Sequence, residues 1–196
     1  MATPPETPRP DSDAFLGATE LDFRQSLDQP FLGSYAVLDQ TGAVRARIRR
    51  SGTGLGVVRM DYVLVDPADQ ALLYVRQPRP KHLIAYNLPF TLADPNGTEL
   101  GELRLNPLAF RSTRFSLSRQ GSELLSAEAK PTLHDFSIQR GPVELATLHI
   151  DWFALPGGVH LRFGSVALAP DDRILVMGLV TFMLVFTASQ QFPTFR

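Results

Sequence analysis

Residues 174 to 188, ILVMGLVTFMLVFTA, form a segment with no charge on any face. A helix that is apolar all round has to be enclosed by protein or by lipid. At ~1.5 Å per residue this one is about 22 Å long, short of the ~20 residues that a bilayer crossing takes. The segment is therefore expected inside the protein. Whatever precedes it must then supply a wall with an apolar inner face.

The preceding stretch of chain has the pattern of such a wall. An aromatic residue, an aliphatic two residues on, a turn and a second alternating strand recur five times. Tyr35 and Val37 lead through Asp39-Gln40-Thr41-Gly42 into Val44, Ala46 and Ile48. Tyr62 and Leu64 lead through Asp66-Pro67-Ala68-Asp69 into Ala71, Leu73 and Val75. Phe90 and Leu92 pass Asp94-Pro95-Asn96-Gly97 into Gly101, Leu103 and Leu105. Phe115 and Leu117 turn at Gln120-Gly121 toward Leu125, Ala127 and Ala129, and Phe136 and Ile138 turn at Arg140-Gly141-Pro142 toward Val143 and Leu145. The period of two puts the named side chains on one face, and Asn-Gly and Asp-Pro-x-x-Gly supply the dihedrals that tight reversals need. A strand over Leu21, Phe23, Gln25 and Leu27 precedes the set, and a pair around Ile150-x-Trp152 and Val159-x-Leu161-x-Phe163 follows it. About twelve antiparallel strands exceed what an open twisted sheet usually holds, and closure into a barrel removes the exposed edges. The expected fold is mainly β, a meander closed around a buried C-terminal hydrophobic helix.

Pro170-Asp171-Asp172 opens that helix, with Asp171 as the expected N-cap and residues 172 to 188 as its span. Residues 1 to 18, with Pro4, Pro5, Pro8 and Pro10 among polar residues, read as a flexible tail, and Pro5-x-x-Pro8 as part of that tail rather than an SH3 ligand. Residues 19 to 190 form the single domain, and 191 to 196 a short tail. MATPPETPRPDSD has neither the basic start nor the apolar stretch of a signal peptide, so a cytoplasmic protein is expected, peripheral at the inner membrane face where it meets lipid. The chain contains no cysteine, which excludes disulfides, cysteine-ligated zinc and thiol catalysis.

A net charge of −1 and a pI near 6.4 give no global attraction to nucleic acid, and none is expected as a partner. The basic residues nevertheless concentrate in the middle, with twelve against six acidic ones over residues 40 to 119. Arg45, Arg47 and Arg49 alternate with Val44, Ala46 and Ile48, which places three guanidiniums on the outer face of one strand, with Arg50 joining them. Such a stripe suits phosphates, at about 1 kcal/mol per residue beside an anionic bilayer. The plainer reading is that outward arginines keep a sheet soluble and its edges unpaired.

Other candidates are weaker. His149 and Asp151 share a strand face and His134 adjoins Asp135, but neither pair has a neighbouring nucleophile or third ligand, so both read as ordinary strand residues. Ser165 lacks the second glycine of a nucleophile elbow. Gly52-Thr53-Gly54-Leu55-Gly56 leads into a strand-like Val57-Val58 rather than a helix, so it reads as a connection and not a phosphate loop. Trp152 and Phe153 read as core or barrel rim. No catalytic residue, metal or cofactor is expected.

Taken in order, the Phe23-Arg24-Gln25 start, the Tyr-x-Val-x-Asp-x-x-Gly hairpin over 35 to 42 and the Asp172-Arg173 entry into an apolar helix resemble the tubby-like superfamily. The phospholipid scramblase and LURP-one-related branch is the nearest in pattern, over residues 20 to 190. The resemblance implies a twelve-stranded barrel filled by its terminal helix, and functions that run from phosphoinositide binding to lipid movement. Calcium-responsive members share an acidic loop before the helix. Here Val159-His160-Leu161-Arg162-Phe163 stands in that place, and Asp171 and Asp172 are too few for the six to eight oxygens calcium takes.

The function expected is thus that of a non-enzymatic module binding a protein partner or anionic phospholipid head groups through the outer arginine face. Two alternatives stand beside it. One is a membrane-inserted protein whose apolar segment assists lipid scrambling. The other is a lipocalin-like carrier of a small apolar ligand, which requires an open barrel.

Overall fold

The computed structural model describes residues 17–25, 34–51, 61–77, 89–108, 112–129, 134–151, 158–165 and 168–191. Residues 1 to 16 of the Pro-rich tail, Leu27, Gly52 to Gly56, Trp152, Phe153 and residues 192 to 196 lie outside them. Twelve strands follow in chain order: β1 (Glu20–Gln25), β2 (Tyr35–Asp39), β3 (Val44–Arg50), β4 (Tyr62–Val65), β5 (Ala71–Arg76), β6 (Phe90–Ala93), β7 (Glu99–Leu108), β8 (Ser112–Arg119), β9 (Ser122–Ala129), β10 (Asp135–Arg140), β11 (Val143–Ile150) and β12 (Val159–Phe163). Each pairs antiparallel with its sequence neighbour, and β1 pairs with β12 to close the barrel. The expected strand around Ile150-x-Trp152 is not separate. Ile150 is the last residue of β11, opposite Val159.

The five hairpins share a construction. In each, the register slips just before the turn, after Val37, Leu64, Leu92, Leu117 and Ile138. Those five side chains point inward and all have 0% exposure. A bulge bends its strand and raises the local twist, so one bulge per hairpin curls the meander toward closure. The first three turns open on Asp39, Asp66 and Asp94, whose carboxylates accept the amides of Ala43, Gln70 and Thr98 at 3.1, 2.8 and 2.7 Å. The third residue after each aspartate has positive φ, at Gly42, Asp69 and Gly97. The last two turns are shorter, with positive φ at Gln120, Gly121 and Gly141.

Helix α1 (Pro170–Gln191) fills the barrel. Val176, Met177, Leu179, Val180, Phe182, Met183, Leu184 and Val185 are buried on every side of it. Phe182 lies 5.0 Å from Phe90 and 5.8 Å from Phe115, ring centre to ring centre. The wall crowds the helix at Gly178, where a Cβ would stand 2.6 Å from Leu92 Cδ1. Leu92 is paired across the ladder with Gly101, where a Cβ would instead stand 2.9 Å from Leu117 Cδ1 and 2.7 Å from the Ser118 carbonyl oxygen.

The start of α1 differs from expectation. Ala169 supplies the capping carbonyl, accepting from Asp172 and Arg173 at 3.0 and 3.2 Å. Pro170 takes the first helical position, where its missing N–H costs nothing. Asp171 and Asp172 therefore lie within the first turn, where their charge still suits the dipole. Asp172 also holds Arg140 of the β10–β11 turn through two bonds of 2.7 and 3.0 Å. Arg173 donates to the Ala18 carbonyl and lies 4.5 Å over the Phe163 ring. These contacts fasten α1 at the barrel end that carries the tight turns.

Candidate functional site

Strand β3 carries the arginine stripe, and alternation does place Arg45, Arg47 and Arg49 on its outer face. Arg50 is on the other face. It stands opposite the inward Tyr62 at the end of β3, half-buried, because a strand reverses direction at every residue and 50 follows 49. Its positive charge pulls against the burial that raises the Tyr62 phenol.

The three outward arginines are not equivalent. Arg45 Nε donates to Asp39 Oδ2 at 2.7 Å, bracing the first turn. Asp39 is held well below the ordinary carboxylate range by the Thr41 hydroxyl and by Arg45, with the amides of Ala43 and Thr41 adding to them against the opposing effect of burial. Arg49 reaches Asp69 of the second turn at 2.9 Å. Arg47 is exposed and has no carboxylate within ion-pair distance among the described residues. Sequence reasoning missed its companion, Arg24 on β1, which is also exposed and without an ion pair among the described residues. The register sets Arg24 and Arg47 on either side of Ala36, and Arg47 beside Val65. Arg76 lies 4.6 Å over the Tyr74 ring, on the outer face of β5. The floor between these cations is apolar, formed by Ala36, Leu38, Val63 and Val65. The signal for Arg24 was the alternation of β1, where it follows the inward Phe23, and the pairing of β1 with its sequence neighbour β2 brings it to the stripe.

A second constellation lies across β10, β11, β12 and β1. Their register aligns Asp135, His149, His160 and Asp22 in one outward row. His149 Nδ1 is 2.8 Å from Asp135 and His160 Nδ1 is 2.6 Å from Asp22. His149 thus meets Asp135 rather than Asp151. His160 and Asp22 are joined only by barrel closure, which no local spacing shows. One step nearer the turns, Arg162 holds Glu20 at 2.7 Å and keeps its carboxyl below the usual range. Ser165 is exposed and the structure gives it no base or carboxylate among the described residues.

Among the described residues, no group of three or more His, Asp or Glu side chains is gathered to hold a metal ion, and no helix is long and apolar enough to cross a membrane. No protein-family model and no curated protein matches the chain. Among solved structures it is similar to a protein from Arabidopsis thaliana, AT5G01750, with a TM-score of 0.34 and 12% identity, over 85% of this chain and 91% of that one.

Proposed function

We propose that this protein is a non-enzymatic binding module that docks its outer β1–β5 face onto anionic phospholipid head groups. The observation that carries the reading is the pair Arg24 and Arg47, exposed and without ion pairs among the described residues, over an apolar floor. Arg49 and Arg76 flank them. Because the interior holds α1, the outer face is where a partner meets the protein. At about 1 kcal/mol per arginine beside an anionic leaflet, Arg24, Arg47 and Arg76 give weak and reversible attachment, with Arg49 already paired to Asp69. Screening shortens its reach to about 8 Å at physiological salt, so binding falls as salt rises.

Vesicle flotation tests this. Vesicles containing phosphatidylserine are expected to carry the protein up, and neutral phosphatidylcholine vesicles are not. Arg24→Glu with Arg47→Glu is expected to abolish flotation, whereas Arg45→Gln, at a position already engaged with Asp39, leaves most of it. Flotation indifferent to lipid charge or to the double reversal rules the reading out.

A further inference from the structure

The Asp135–His149–His160–Asp22 row supplies none of the arginines of the proposed docking face. We propose that His149 and His160 form a two-nitrogen site for a borderline divalent transition metal such as Cu2+ or Zn2+, with Asp135 and Asp22 as orienting carboxylates.

The argument begins with the hydrogen atoms. An ionised carboxylate only accepts, so the bonds to Asp135 and Asp22 place the proton of each neutral ring on Nδ1. Each Nε2 then carries a free lone pair, and neither has a partner among the described residues. Both rings are accessible, with side-chain exposures of 48% and 58%. They lie face to face, 28° apart in plane and 6.3 Å between centres.

His149 and His160 are direct cross-strand partners, so their Cβ atoms are about 4.5–5.5 Å apart. From that base, rotation about the side-chain bonds brings both Nε2 atoms to one ion at the 2.0–2.1 Å usual for imidazole on zinc. A carboxylate behind each metal-binding imidazole is the usual second layer of such sites, because it sets the tautomer and raises the basicity of the ligating nitrogen. Here both imidazoles already have it. Nitrogen donors select copper, nickel and zinc over calcium and magnesium, which take oxygen. Water completes the coordination. A bound ion ties β11 to β12 beside the strand pair that closes the barrel.

Isothermal titration of the untagged full-length protein with CuCl2, ZnCl2 and CaCl2 provides the test, joined to the electron paramagnetic resonance spectrum of the copper form. One Cu2+ or Zn2+ per chain is expected, copper the tighter, with nitrogen hyperfine splitting from two imidazoles and a rise in melting temperature. Calcium is expected to give no heat. His149→Gln or His160→Gln should remove the one-per-chain site, and Asp22→Asn or Asp135→Asn should weaken it by about tenfold to a hundredfold. These positions are on the surface, so metal-free melting temperatures report whether each variant folds. Binding that survives both histidine substitutions, that ignores the aspartates, or that never reaches one ion per chain overturns the proposal.

Discussion

Thr181 is fully buried in the middle of α1, and its hydroxyl has no hydrogen-bond partner among the described residues. A hydroxyl without a partner in a hydrocarbon interior costs about 1–3 kcal/mol, and an apolar group of the same shape avoids that cost. Thr181→Val is therefore expected to stabilise the protein by about 1 kcal/mol, a rise of roughly 2–4 °C in melting temperature for a chain of this size. Thr181→Ser keeps the hydroxyl and deletes a methyl, and is expected to melt lower than the parent. Scanning calorimetry of the two variants separates the contributions, and a Val variant less stable than the parent would show that the hydroxyl is bonded. Position 181 also lies three residues beyond Gly178, and this part of the helix tolerates little added volume: Leu92 fills the space where the glycine lacks a side chain.

At the scale of an element, the hairpin turns make the fold sensitive to acid. Asp39 is depressed by the Thr41 hydroxyl and Arg45. Burial raises Asp94, but bonds from the Thr98 amide and hydroxyl and from the Asn96 and Gly97 amides outweigh it, so its net shift is also downward. A carboxyl whose folded value lies below its unfolded value of about 3.9 stabilises the fold above that pH, and the contribution disappears as pH falls through the folded value. Urea midpoints are expected to drop below about pH 4, and Asp39→Asn to lie lower at pH 7 but to lose less on acidification. Parallel pH profiles for parent and variant would exclude Asp39 as a source of the acid sensitivity. These turns were legible in the sequence because Asp-x-x-Gly carries its own dihedral and hydrogen-bond chemistry, and the alternating apolar residues beside them marked most of the inner face; Val143, expected inside with Leu145, is exposed, because the register slips at that hairpin. What stayed hidden was non-local. The pairing of β1 with β12 and the meeting of His160 with Asp22 depend on closure between distant residues, and the arrival of Arg24 beside the stripe depends on the register of β1 on β2. Even locally, treating Arg50 as a member of the stripe ignored strand alternation, and the capture of Arg45 and Arg49 by turn aspartates depended on side-chain reach.

For the whole molecule, helix and barrel depend on each other. The inward side chains of the strands and the buried side chains of α1 form one core, and closure joins strands from opposite ends of the chain. Pairing so distant in sequence is slow to form, and an emptied barrel would expose its inner wall to water. Phe182 packs on Phe90 of β6 and Phe115 of β8, so losing the helix would break aromatic contacts on two strands at once. One cooperative unit is the consequence. Amide hydrogen exchange is expected to show Val176 to Val185 opening only on global unfolding, with the same free energy as the innermost strand positions such as Leu64 and Leu117. Anionic vesicles should leave that protection unchanged while they slow exchange along β1 to β5, if the outer face is the docking surface. Rapid exchange of the helix amides with the strands still protected would show instead that α1 leaves the barrel, the step that any insertion of its apolar residues into a bilayer requires.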